Sequence, residues 1–187
     1  NVLLISGDIS SRLPEIMKYP VKKVVFVERD PKLTSMITDD AGSGILKIEN
    51  RDAFRYIRNS TDTFDVIILL LPPPSTLLLN RYYTTEFFSE IKKRLGGEGI
   101  FMCSPGPETN YLNTEVLYFY SSIFKSLSAV FKNILPVAGE KLYFIASDSK
   151  LSSSICRLTV ERKIRNNYVS SDYLADDLIT ARSNEIL

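Results

Sequence analysis

Three acidic side chains stand at points where a carboxylate can take part in recognition. Glu28 closes the apolar run Val24-Val25-Phe26-Val27 and is followed by Arg29-Asp30-Pro31. At the end of a strand, a carboxylate can accept hydrogen bonds from both hydroxyls of a ribose. The plainer reading is an acid that favours the N-terminus of the next helix. Asp52, in Glu49-Asn50-Arg51-Asp52-Ala53-Phe54, can accept the exocyclic amine of adenine or cap a helix starting at Ala53, and one oxygen can serve each task. Asp8 lies in Ser6-Gly7-Asp8-Ile9-Ser10-Ser11. That loop is small and polar enough, at Gly7 above all, for a nucleotide or amino-acid moiety to approach the backbone closely. An ordinary capped turn accounts for the same residues without a ligand.

What is missing narrows the chemistry further. The chain has no histidine, so the commonest general base and the commonest metal ligand are both unavailable, and Ser-His hydrolysis and zinc catalysis are disfavoured together. No metal is expected. Cys103 and Cys156 are far apart and show no CxxC spacing, which argues against a disulfide framework or a zinc site. Proton transfer falls to carboxylates, Tyr or Lys. The segment Leu70-Leu71-Pro72-Pro73-Pro74-Ser75-Thr76 carries no acid, and its three prolines make a stiff extended loop that holds a shape. Tyr83 follows, with a hydroxyl that can orient an amine, although its neighbours Phe87 and Phe88 at helical spacing favour packing in a core.

The elements that position these residues follow from periodicity. Apolar, β-rich runs at Val2–Ser6, Lys23–Glu28, Ile45–Glu49, Asp65–Leu71 and Gly99–Ser104 predict strands. Between and after them, Ser11–Lys18, Pro31–Asp39, Ala53–Asn59, Thr85–Leu95 and Thr114–Phe131 predict helices. The unbroken run Val66–Leu71 implies a strand buried on both faces, as in a parallel sheet covered by helices. Asn133–Val137 and Lys141–Ser147, joined through Gly139-Glu140, predict an antiparallel hairpin. The expected fold class is α/β, a Rossmann-like class I methyltransferase fold whose doubly wound, mostly parallel sheet ends in that hairpin. Residues 1–187 read as a single domain, with a helical cap from about Leu151 built on Ser154–Ile164 and Ser171–Ala181.

Bulk properties exclude other classes. With 44% hydrophobic and 24% charged residues the chain is globular rather than disordered. A formal net charge of +1 offers no basic field, so nucleic acid is not an expected partner. The longest apolar run, Val66–Leu71, falls far short of the roughly 20 residues that cross a bilayer. A start at Asn1, inside a strand and without an initiator Met, is what a piece of a longer protein would show.

The segments Val-Leu-Leu-Ile-Ser-Gly at 2–7, Phe-Val-Glu-Arg-Asp-Pro at 26–31, Asn-Arg-Asp-Ala-Phe at 50–54, Phe-Asp-Val-Ile-Ile at 64–68 and Tyr-Tyr-Thr-Thr-Glu-Phe-Phe at 82–88 together resemble the spermidine/spermine synthase family over Val2–Ser147. The likeness is strongest to a bacterial branch in which such a domain follows a membrane-embedded region, on Pro74-Ser75-Thr76 with Asn80-Arg81, and Gly106 with Asn110-Tyr111-Leu112. The resemblance implies that Glu28 binds ribose and Asp52 adenine of S-adenosylmethionine, its decarboxylated form or methylthioadenosine, with Gly7 and Asp8 near the methionine-derived end. It implies a polyamine acceptor, with Tyr83 beside it and Glu108 and Glu140 as further acids in loops. It also implies a cytoplasmic domain, a link to an upstream membrane region, and a homodimer as the assembly to test. Where the family carries its catalytic acids, this chain has Leu70 and Pro73. The expectation is therefore a degenerate synthase-like domain that binds a ligand or serves as a regulatory scaffold. The competing expectations are an active aminopropyl- or methyltransferase, and a partner module using an aromatic surface at Tyr118 and Tyr120.

Overall fold

Alternation along the strands decides where each helix packs. The computed structural model describes residues 1–35, 37, 44–106, 114–138, 141–152, 154–164, 176 and 181. Among these, strands β1 (Val2–Ile5), β2 (Val24–Glu28), β3 (Leu46–Asn50), β4 (Phe64–Leu69), β5 (Leu95–Cys103), β6 (Asn133–Ala138) and β7 (Leu142–Ser147) form one sheet in the order β3-β2-β1-β4-β5-β7-β6. The first five pair in parallel, while β7 runs antiparallel to both β5 and β6. This is the predicted α/β class, and β1 lies at the point where strand order reverses, outside whose carboxyl end ligands bind in open sheets.

On one face, Leu3, Ile5, Val25, Val27, Ile67, Leu69 and Phe101 join the inner sides of α3 (Ala53–Asn59), α5 (Thr85–Arg94) and α6 (Thr114–Ser128) in the larger core. Phe87 is its hub, with ring centroids 5.2 Å from Phe54 and 5.3 Å from Tyr82. The alternate residues Leu4, Phe26, Ile48, Ile68 and Leu70 face the other way, towards Ile9 and Leu13 of α1 (Ile9–Ile16). That side is covered less fully. An apolar groove of about 490 Å³ lies along it, lined by Val2, Leu4, Val66, Ile68, Leu70 and Met102 against Ile16 and Pro20. Val66–Leu71 is thus buried on one face and only half-buried on the other, which corrects the expectation of burial on both.

Several boundaries differ from the periodicity for local reasons. α1 begins at Ile9 rather than Ser11, because the Asp8 side chain accepts the Ser10 and Ser11 amides, and it ends at Ile16, two residues past Pro14. Helix α2 spans Pro31–Ser35, and α6 stops at Ser128 rather than Phe131. β5 starts at Leu95 rather than Gly99, pairing Leu95 with Phe64 across a register shift between Phe64 and Val66. A short helix, α4 (Leu77–Asn80), and a 3-10 turn at Arg81–Tyr83 form in the loop after β4. Of the expected cap, α7 (Ile155–Glu161) is present. Asp176 accepts the Cys156 amide at 2.9 Å and that of Arg157 at 3.3 Å, so a distant carboxylate caps the start of α7. Residues 171–175 and 177–180 of the second expected cap helix, 36, 38 and 39 of the helix expected over Pro31–Asp39, and Gly139 and Glu140 of the hairpin turn lie outside the described residues.

No helix among the described residues is long and apolar enough to cross a membrane. Tyr118 is exposed on α6, but Tyr120 is 3% exposed, against Phe144 and so close to Gly106 that a Cβ there would collide with the Tyr120 ring. The expected aromatic surface is therefore reduced to Tyr118.

Candidate functional site

The loops after β1, β2 and β4 meet at the carboxyl end of the sheet around a cavity of about 530 Å³. Ser6, Gly7, Asp8 and Glu28 supply its polar wall, and Phe26, Leu33, Ile37, Leu70 and Pro72 its apolar one. Glu28 ends β2 and is 7% exposed. One of its oxygens accepts the Ser6 hydroxyl at 2.7 Å and the other the Asp30 amide at 3.0 Å. A carboxylate oxygen has two lone-pair positions, so each keeps one for a further donor. Two adjacent acceptors, fixed by separate loops and opening on a cavity, suit a vicinal diol.

The first loop takes its shape from two residues with positive φ, Ser6 at 59° and Gly7 at 89°. That turn carries the Ser6 hydroxyl to Glu28. It also brings Gly7 so close to Leu70 that a Cβ there would stand 2.8 Å from the Leu70 Cβ, so the position needs glycine twice over. Leu70, whose amide extends the β4 ladder to the Ile5 carbonyl at 2.9 Å, packs over this glycine and borders both the cavity and the groove. Asp8 is exposed, and the Ser11 hydroxyl first, then the Ser11 and Ser10 amides, hold its carboxyl below the usual value.

Asp52 sits apart from the cavity lining. It caps α3, accepting the Arg55 amide at 3.0 Å, and its other oxygen is ion-paired with Arg81 and accepts the Tyr82 hydroxyl at 2.7 Å. Burial works to raise its pKa, but the Tyr82 hydroxyl, the Arg55 amide and the Arg81 guanidinium outweigh it, and the carboxyl titrates below its ordinary 3.8. Tyr82, desolvated and bonded to Asp52, is pushed up to about 12 and stays a donor. A depressed carboxylate pKa adds stability that is present above the unfolded value and drains away as pH falls through the folded one. Asp52→Asn is therefore expected to lower the melting temperature at pH 7 and to close the gap to wild type as pH falls below 3.8, as read by thermal melts across pH 2.5–7. A gap independent of pH would show that the ion pair contributes nothing.

Tyr83 is 4% exposed, and its hydroxyl donates towards the Leu71 carbonyl at 3.0 Å and that of Pro72 at 3.3 Å. Burial raises its pKa. Its visible task is to tie the proline loop to the core, and it does not border the cavity. Tyr83→Phe should cost about 1 kcal/mol, the usual worth of such a bond, in denaturant midpoint, while the loop around Pro72 gains amide exchange. An unchanged midpoint would show that the bond does not hold the loop.

Of the residues singled out in the sequence, the fold gathers Gly7, Asp8, Glu28 and Leu70 around one cavity and leaves Asp52, Pro73 and Tyr83 outside its lining. Ser6, Arg81 and Tyr82 had no assigned role. Ser6 stands in the loop after β1, and its hydrogen bond to Glu28 depends on a positive φ that a serine does not announce, while Arg81 lies 29 positions from Asp52, a pairing no local pattern reveals. Cys103 is buried, and desolvation raises its thiol, so it is no thiolate nucleophile. Glu108, Asn110, Tyr111, Leu112 and Glu140 lie outside the described residues. Among the described residues, no three His, Cys, Asp or Glu side chains converge as metal ligands.

Comparison with known proteins bears on the family and the fold. The sequence profile of the spermine/spermidine synthase domain matches residues 1–156. The chain is 27% identical over 195 aligned residues to the polyamine aminopropyltransferase of Oceanobacillus iheyensis, with 97% of this chain and 36% of that protein covered. It thus spans about a third of that curated relative's length. Among solved structures, a spermidine synthase in complex with the transition state analogue AdoDATO superposes with a TM-score of 0.72 at 19% identity, covering 97% of this chain and 65% of that one. Human methyltransferase-like protein 13 in complex with SAH gives 0.66 at 22% identity, covering 92% and 88%. These two likenesses speak for the Rossmann-like methyltransferase fold.

Proposed function

The chain belongs to the spermine/spermidine synthase family, and from that premise we propose that it binds an adenosyl ligand without carrying out standard aminopropyl transfer. The observation that carries the binding half is Glu28, a nearly buried carboxylate with one acceptor position left on each oxygen, at the edge of a 530 Å³ cavity. Glu28 would hold the ribose hydroxyls and Gly7 would let the chain come close, while Asp52, outside the cavity lining, would meet an adenine amine that reaches beyond it. The exposed, ionised Asp8 would attract a cationic amino group, as found on S-adenosylmethionine and its decarboxylated form. Methylthioadenosine would fill the same cavity without that contact. No metal is called for.

The catalytic half rests on Leu70 and Pro73. Bound, a sulfonium donor supplies an electrophilic carbon, and the protein's share of the work is to place an amine and take its proton. Leu70 borders the cavity with an aliphatic side chain, and Pro73 has no titratable group. Losing a general base forfeits about 10²–10⁴-fold in rate. The domain would then act as a ligand-responsive or scaffolding unit, cytoplasmic, linked to an upstream membrane region in the longer protein, with self-association as a homodimer open to test by sedimentation.

A second reading has one observation in its favour. The curated relative is named as an aminopropyltransferase, and in a reactive site positioning alone can supply much of a rate enhancement. In that reading the domain transfers an aminopropyl or methyl group to a polyamine, with Asp8 in place of the lost acid. Incubation with decarboxylated S-adenosylmethionine or S-adenosylmethionine and a panel of amines separates the two readings. Binding without product supports the first, and product at an ordinary enzymatic rate establishes the second.

A further inference from the structure

Among the described residues, two besides glycine have a positive φ, Lys163 and Ser6, the latter at 59°. Glycine adopts that angle freely, and what serine brings to it is a strained Cβ and a hydroxyl. Such an outlier persists only where its surroundings fix it, and here they do. The Ile5 carbonyl before it takes the Leu70 amide at 2.9 Å, the Ser6 amide donates to the Val27 carbonyl at 2.9 Å, and Gly7 after it lies against Leu70. What the turn delivers is the hydroxyl, 2.7 Å from Glu28 Oε2. The Asp30 amide holds Oε1 at 3.0 Å, so donors from two loops grip the two oxygens of a buried carboxylate. Held by one oxygen alone, the group swings about that bond. Held by both, it presents one acceptor position per oxygen, side by side at the cavity.

We infer that Ser6 is a positioning residue that makes the site selective for a cis-diol, its hydroxyl fixing Glu28 so that a ligand must fill both remaining acceptor positions. The inference rests on the adenosyl-ligand reading and adds to it the class of sugar accepted. A ribose fills both positions. A 2′-deoxy sugar fills one and leaves the other unpaired on a buried carboxylate that cannot turn away, a costly state for a charged acceptor. Sites built to bond a substrate hydroxyl reject the analogue lacking it most strongly for this reason. Without the Ser6 bond, Glu28 turns about the Asp30 amide, the unmatched oxygen finds water, and the penalty on the wrong sugar falls.

The test compares methylthioadenosine with its 2′-deoxy form by calorimetric titration of wild type, Ser6→Gly and Ser6→Ala. Glycine suits the turn, so Ser6→Gly removes the hydroxyl and leaves the backbone unstrained, while Ser6→Ala removes it and keeps the Cβ. Melting curves establish that each protein is folded. Wild type should prefer the ribose form by about 30-fold or more. In both variants the preference should shrink to roughly threefold or less, because the ribose form binds about tenfold more weakly while the 2′-deoxy form stays within about threefold of its wild-type affinity. A serine that served the loop alone would weaken the two ligands in parallel. That result, or a preference unchanged in either variant, overturns the inference and leaves the adenosyl reading standing. A wild type that binds the two forms equally also overturns it, since Glu28 would not then read the diol. Heat from neither ligand in any of the three folded proteins overturns the inference and the reading together.

Discussion

Glu28→Ala protein is expected to give no measurable heat with methylthioadenosine at concentrations that saturate the wild type. A hydrogen bond to a charged acceptor is worth about 1.5–3 kcal/mol, and two ribose hydroxyls on one carboxylate place the loss at roughly 3–6 kcal/mol, or at least 100-fold in affinity. The substitution also strands the Ser6 hydroxyl and the Asp30 amide, which now close on Glu28 at 2.7 and 3.0 Å. Part of the effect will therefore be disorder of the first loop. Glu28→Gln separates the two contributions, because its amide keeps one acceptor and similar volume while losing the charge. It should bind measurably but at least tenfold more weakly than wild type. If Glu28→Ala bound as wild type does, the cavity would not be a ribose site.

The second large effect concerns turnover. Wild-type protein is expected to transfer no aminopropyl group to putrescine above the rate without enzyme, and Leu70→Asp combined with Pro73→Asp to raise that rate at least 100-fold, the lower end of what a general base contributes. Leu70 is the more informative of the two positions, since its side chain borders the cavity and covers Gly7. An aspartate there would face the ligand but would uncover part of the smaller core, where Leu70 packs with Leu4 and Phe26. A loss of stability is expected alongside the gain, and melting curves at the assay temperature guard against reading unfolding as inactivity. Turnover by the wild type at roughly 1 per second or faster, within the usual range for enzymes, would show that the site needs no acid at Leu70 or Pro73.

The sheet was legible in the sequence because its strands carry strong signals. Val24–Val27 and Val66–Leu69 are unbroken apolar runs, and the 2-residue alternation of Leu3 and Ile5 against Leu4 assigns them to opposite faces once the helices are placed. Glu28 was legible for the same reason, since a carboxylate that ends such a run has few places to go. What periodicity could not show was how completely each face is covered. The half-open groove beside Val66 and Ile68 depends on where α1 and its neighbours lie in space, and an apolar strand reads alike whether one face or both are packed. α4 was missed because Leu77–Asn80 is a single turn behind three prolines, too short to display a helical period.

The site was legible only in part, and the missing part is non-local. Asp52 announced itself as a helix cap, and it is one. Its pairing with Arg81 and Tyr82 across about 30 positions arises because the 3-10 turn at Arg81–Tyr83 folds back beside the start of α3. Tyr83 shows the opposite balance. Its aromatic neighbours favoured the core, and the structure gives its hydroxyl to two carbonyls of the proline loop. The absence of an acid at Leu70 and Pro73, by contrast, needed nothing but the sequence.

The most direct test of whether this domain is a working adenosyl-ligand receptor is calorimetric titration of the wild-type chain with methylthioadenosine, S-adenosylmethionine and decarboxylated S-adenosylmethionine. Saturable binding at one site per chain is expected for all three. No heat from folded protein with any of them would contradict it, and would leave the cavity beside Glu28 as a feature of the family fold without a ligand.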